Sequence, residues 1–233
     1  MTYEQAVRSL EPGQWSTLGE EGRLEVLQAL EDRAAREQGR LPRPVTSSWL
    51  YTGTDGIELG CYDPSAQTIY VNASQLAPGS RYGDNPDALA EAILHEGRHA
   101  QQRDVVEGRL AHDDEGQARA WAKNLRPGGY VSFWQNPRAY YEQPVESDAR
   151  RFASERLERL RDERQALSAR AELERLGADV NSAEALEQAR RAFQQAADNG
   201  GLTWGPQVER RQDQKAAEGQ RHGGGQGGIR RRW

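Results

Sequence analysis

The chain has 233 residues with 31 basic and 36 acidic side chains, a formal net charge of −5, and is 36% hydrophobic and 29% charged. That length holds one large domain, or one of about 170–200 residues with appendages. The single cysteine, Cys61, excludes an internal disulfide and any cysteine-based zinc cluster, and no run of 18 apolar residues exists to cross a membrane.

The charge is unevenly placed. After Gly205, seven basic residues stand against three acids, which leaves residues 1–205 with −9. So acidic a body argues against a nucleic-acid groove. The start, Met1-Thr2-Tyr3-Glu4-Gln5, lacks the basic-then-apolar profile of a secretory signal. Cytoplasmic residence is the expectation, with export by a dedicated secretion system as the alternative.

In chain order, residues 3–10 and 20–38 read as helices; in the second, Leu24, Leu27 and Leu30 recur at helical spacing, and Gly39 stands where a C-cap belongs. Pro42 and Pro44 stop it. The period then changes. Segments 49–52, 57–62 and 68–72 are rich in β-branched and aromatic residues and are separated by turn sequences, which predicts a small antiparallel meander. Alternation over 68–72 puts Ile69 and Val71 on one face.

Asn85-Pro86-Asp87 is a helix start: a capping Asn, proline at the first helical position and an acid in the first turn. The helix is expected over 86–106, burying Leu89, Ile93 and Ala100 with Ala92 beside them. A further helix is expected over 115–125, with Ala118, Trp121, Ala122 and Leu125 inward, closed by Pro127-Gly128-Gly129. Segment 130–143 has no clean period and carries loop signals. Pro144 opens a long helix to about 176, with Val145, Ala149, Phe152, Leu157, Leu160 and Leu167 as its apolar line. Asn181 and Glu184 suggest a capping box for a last helix over 182–198. From 206 the sequence is rich in Gly, Gln and Arg and reads as a disordered tail.

Inside the 86–106 helix lies His95-Glu96-Gly97-Arg98-His99. Four residues apart, the two histidines share one helical face, one turn apart. Both imidazoles can reach one ion, and Glu96 beside them can take a proton from a water that the ion activates. A catalytic zinc site needs a third protein ligand. Gln102 and Val105 stand where a metzincin would have glycine and histidine, which excludes that class. The downstream candidates are His112, Asp113, Asp114, Glu142, Glu146 and Asp148.

A β-meander, then a His-Glu-x-x-His helix, then a second helix with an inward acid resembles the zincin metallopeptidases, and the gluzincin type in particular. Within them, Glu146-Ser147-Asp148-Ala149-Arg150-Arg151-Phe152-Ala153 resembles the third-ligand helix of the ImmA/IrrE-type peptidases. The resemblance spans about residues 45–160. It implies an α+β, zincin-like fold, a small antiparallel sheet on a metal-binding helix flanked by N- and C-terminal helices. It also implies Glu146 as third ligand, one Zn²⁺ per chain, and a zinc-dependent peptidase acting on a protein or peptide. The better-studied gluzincins have an Asp four residues after the ligand Glu; here that position is Arg150, so the groups orienting His95 and His99 stay open.

The organisation expected is N-terminal helices (1–44) packed on a zincin-like domain (45–177), a C-terminal helix (178–205) and a basic tail (206–233). Glu96 would be the general base, with Tyr140 or Tyr141 stabilising the oxyanion. By the same resemblance the 68–72 strand, with Ile69, Tyr70, Val71 and Asn72, would form the cleft rim and pair with substrate backbone. The alternative is a zincin-like non-catalytic module acting through its charged helices and tail. Oligomeric state is not readable.

Overall fold

A computed structural model of the chain describes residues 1–53 and 56–175, together with Glu187 and Arg191. The expected helix over 182–198 and the 206–233 tail lie, those two residues apart, outside the described residues. In chain order the elements are α1 (Tyr3–Ser9), α2 (Pro12–Trp15), α3 (Glu20–Glu37), β1 (Val45–Ser48), β2 (Gly60–Asp63), β3 (Thr68–Asn72), α4 (Ala73–Leu76), α5 (Pro86–Val106), α6 (Glu115–Leu125), α7 (Pro137–Glu142) and α8 (Pro144–Arg175). The fold is α+β. None of these helices is long and apolar enough to cross a membrane.

Helix α5 is the scaffold. The Asn85 side chain accepts from the Ala88 amide at 3.1 Å, and Pro86 pre-sets the first turn. Its apolar stripe, Leu89, Ile93 and Ala100, is fully buried. It joins Leu10, Trp15 and Leu27 from the N-terminal helices, Ile69 and Val71 from β3, and Leu157 and Leu160 from α8 in one continuous core. On α6, Trp121 is buried, but Ala122 faces out, contrary to expectation.

The sheet corrects the predicted meander. Its order is β1-β3-β2, with β1 parallel and β2 antiparallel to β3. The first strand is Val45–Ser48 rather than 49–52. Trp49 is 83% exposed and 49–53 make no ladder beyond one bridge, Thr52 to Ile57. The β-like aromatics there serve another end: the Tyr51 ring packs edge-on against Trp134, their centroids 5.1 Å apart.

A second correction follows for the substrate rim. Strand β3 is central, with both edges paired; Ile69, Val71 and Asn72 are fully buried. The Asn72 side chain caps α4 through the Ser74 amide and donates to the Glu58 carbonyl. Neither Ile69, Tyr70, Val71 nor Asn72 has a free backbone edge to offer a peptide. The edge beside α5 belongs to β2.

Behind α5, on the side away from the histidines, two buried ion pairs fix the 39–44 segment. Arg40 grips both Glu31 oxygens at 2.6 and 2.8 Å, and Arg43 meets Asp104 at 2.6 Å. Gly97 makes room for the first pair: a Cβ there would stand 2.6 Å from Glu31 Oε2. The glycine within the His-Glu-x-x-His pentad is thus a packing requirement of the helix's far face.

Candidate metal centre

Helical spacing alone puts His95 and His99 together; what completes the cluster is the docking of α8 on α5. Pro144 starts α8 abruptly after α7, and Glu146 falls in its first turn. The Val145 amide donates to Asn124 Oδ1 at 3.2 Å, tying that turn to α6. Ala149, one turn on, is fully buried, and so small a side chain lets the two helices come close.

The three candidate ligands converge. His95 Nε2 lies 3.3 Å from Glu146 Oε2, His99 Nε2 lies 3.4 Å from Glu146 Oε1, and the two Nε2 atoms are 3.0 Å apart. Among the described residues these three form the one group of three or more His, Cys, Asp or Glu side chains able to share a cation. Zinc bonds of about 2.0–2.1 Å at tetrahedral angles put ligand atoms about 3.3 Å apart. The cluster already has that size. Glu146 is 1% exposed, and its Oε2 makes no well-formed hydrogen bond, its polar neighbours being His95 Nε2 at 3.3 Å and Arg150 Nη1 at 3.9 Å. A buried carboxylate oxygen so loosely matched by donors is costly, and a cation would remove that cost.

The other downstream candidates lie elsewhere. His112 packs edge-on against Trp121, and Asp114 caps α6. Glu142 pairs with Arg138 at the surface. Asp148 is buried among Arg98, Gln102 and Gln117. Arg150, where better-studied gluzincins carry an Asp, stacks over Tyr141 with its guanidinium carbon 4.7 Å from the ring centroid.

Glu96 points the other way round the helix from the ion pairs and accepts the Tyr62 amide at 2.8 Å. With the histidines and Glu146 it lines a cavity of about 590 Å³, walled by β2 on one side and by Tyr130 and Tyr140 on another. Gly60 on β2 allows this approach, because a Cβ there would sit 3.1 Å from Glu96 Cγ. The Leu59 carbonyl accepts from the Asn72 amide. By antiparallel alternation, Gly60 and Tyr62 then turn their backbone groups to the open edge.

The two expected tyrosines part company. Tyr140 lines the cavity, while Tyr141 is 47% exposed and outside it. Tyr130, which sequence reasoning missed, donates from its hydroxyl to Glu146 Oε1 at 2.8 Å. Burial, the charge of Glu146 and that hydrogen bond push the Tyr130 hydroxyl above the usual phenol range; burial and the same charge do so for Tyr140. Both therefore remain O–H donors at neutral pH. The Gln143 side chain sets the position of Tyr130: it accepts the Val131 amide and donates to the Val131 carbonyl, while Asn124 donates to Gln143.

Electrostatically, burial raises the Glu146 carboxyl, but the close contacts and charge of His95 and His99 outweigh it and hold the group well below the carboxylate range. Burial lowers His99, and Glu146, Glu96 and Gln102 together bring it up to about 9. Burial, then the charges of Glu96, Glu58 and Asp63, push the neighbouring Cys61 thiol up to about 12.

Compared with protein-family models, with curated proteins and with solved structures, the chain finds no match.

Proposed function

We propose that the chain is a zinc-dependent peptidase with a zincin-like arrangement, His95, His99 and Glu146 being the ligands and Glu96 the general base. One observation carries this reading. Three ligand atoms at zinc-site spacing converge on a cavity that the Glu96 carboxylate also lines, and their open side faces that cavity rather than a fourth protein ligand. That open side argues against a purely structural metal, which is closed by four protein ligands. The likeness of residues 146–153 to the third-ligand helix of ImmA/IrrE-type peptidases supports the same assignment.

When bound, zinc supplies Lewis acidity, polarising a substrate carbonyl and lowering the pKa of a water to about 7. Glu96 takes the proton of the attacking water and returns it to the leaving amine. The Tyr130 hydroxyl, or that of Tyr140, donates to the carbonyl oxygen as it gains charge. The open edge of β2, at Gly60 and Tyr62, takes the place first assigned to β3 and offers backbone groups to an extended peptide.

The test is metal analysis by native mass spectrometry combined with a proteome-derived peptide cleavage screen. Wild type should bind one zinc and cleave; Glu146→Ala should lose the zinc, while His112→Ala and Asp113→Ala keep it. Glu96→Gln should keep zinc and fold yet lose activity by about 10³-fold or more, since base and nucleophile activation go together. Cleavage by Glu96→Gln at the wild-type rate would refute the mechanism.

A further inference from the structure

Behind the ligand cluster a chain of side chains runs back from His99. His99 Nδ1 lies 2.8 Å from Gln102 Oε1. The Gln102 amide nitrogen is 3.0 Å from the Val145 carbonyl and 2.9 Å from Asp148 Oδ2. Asp148 is in turn clasped by Arg98, whose Nε and Nη2 reach its two oxygens at 2.7 and 3.0 Å. Gln102 is fully buried and Asp148 is 5% exposed.

The orientation of this amide is decided by its neighbours. A carbonyl and a carboxylate only accept, so the group facing both must be the amide NH₂. The oxygen then faces His99. An amide oxygen only accepts, so His99 Nδ1 must carry its proton, and the ring presents Nε2 to the cluster. A flipped amide would set its oxygen against two acceptors and select the opposite tautomer of His99, with the proton on Nε2.

We infer that Gln102 is a positioning residue for the metal centre: anchored by Asp148 and Arg98, it fixes the ring plane and tautomer of His99 so that Nε2 faces the cation. This rests on the metal-centre reading above. It also explains Arg98, the second variable residue of the His-Glu-x-x-His pentad. Its guanidinium carbon lies 5.2 Å from the Trp121 ring centroid and 5.0 Å from that of Phe152, which brings α5, α6 and α8 together around Asp148. The orienting group comes from the metal helix itself, one turn beyond His99, where i and i+3 side chains meet. The α8 acid holds it from behind instead of touching the histidine.

The experiment measures zinc affinity of the full chain by competition with a chromophoric chelator, alongside melting of the metal-free protein and the visible spectrum of the Co²⁺-loaded form. Gln102→Met keeps the volume and removes the amide; it should weaken zinc binding roughly 10- to 100-fold and alter the Co²⁺ bands. Asp148→Asn should shift affinity in the same direction and serves should Gln102→Met not fold. Leu157→Ala, in the core and away from the cluster, should lower melting yet leave zinc affinity within about twofold of wild type. The inference is overturned if Gln102→Met binds zinc like wild type, or if it loses no more affinity than Leu157→Ala. A wild-type chain that binds no zinc overturns the metal-centre reading instead, and the positioning role with it.

Discussion

The amide of Tyr62 on the open strand edge donates to Glu96 Oε2 at 2.8 Å, so the candidate base is already held by the backbone that would line up a substrate. The base and the strand are one unit. Displacing either moves the other, and the room for this contact comes from Gly60.

Gly60→Ala should therefore act on turnover more than on metal. The added Cβ, 3.1 Å from Glu96 Cγ, forces the carboxylate aside by a few tenths of an ångström. A shift of that size at the base is expected to lower kcat about tenfold. Zinc content, measured by plasma emission, should be unchanged; loss of zinc instead would show that α5 itself had moved.

Tyr130 and Tyr141 should separate cleanly. Tyr130→Phe removes an O–H donor at the cluster and should lower kcat about 100-fold with little change in KM. Tyr141→Phe should leave both constants alone, since that ring sits outside the cavity against Arg150. Equal effects from the two variants would contradict the placement.

Gly97→Ala should destabilise although alanine is the better helix former. The gain in propensity is about 1 kcal/mol. Against it, a Cβ at 2.6 Å from Glu31 Oε2 and 2.8 Å from Arg40 Nη2 must pry apart a fully buried ion pair, at about 3–5 kcal/mol. The net loss of about 2–4 kcal/mol is readable by urea denaturation. A variant as stable as wild type would mean that the pair re-forms around the methyl group.

Asp87 supplies a pH signature away from the centre. Burial raises its carboxyl, but hydrogen bonds and charge from Arg164 and then Arg161 outweigh that, and its pKa lies below the ordinary value. A carboxylate whose folded pKa is depressed stabilises above its unfolded pKa of about 4, and that stability is lost as pH falls through the folded value. Asp87→Asn should melt below wild type at pH 7, by an amount worth about 1–2 kcal/mol. The two melting curves should converge as the pH drops below about 4. A gap that does not narrow at all between pH 5 and pH 2.5 would assign the effect to packing.

The helices and the convergence of the two histidines were the legible part. Pro86–Val106 and Glu115–Leu125 are fixed by local signals, a capping Asn or Asp and a clear apolar period, and the helix bounds follow them. Histidines one turn apart need nothing but helix geometry. The sheet was harder to read. In 49–52 the aromatic residues mimic a strand, but Trp49 lies exposed and Tyr51 packs on Trp134, whereas Val45-Thr46-Ser47-Ser48, polar over most of its length, is a strand because it pairs with β3. Tyr130 was hidden because its position depends on Gln143 and Asn124, whose contacts span 12 and 19 residues and leave no periodic trace. Gln102 could have been found, since a polar residue three positions beyond a candidate ligand histidine shares its face.

Glu146 lies 47 residues beyond His99 in a chain made from its N-terminus, so the trio that could hold an ion cannot assemble while the polypeptide is still short. His95 and His99 leave the ribosome first, and the third donor arrives only when the opening turn of α8 settles against α5, a contact between segments distant in sequence. On the proposed reading, the peptidase site therefore depends on the packing of α8 against α5, and the His-Glu-x-x-His helix alone does not make it.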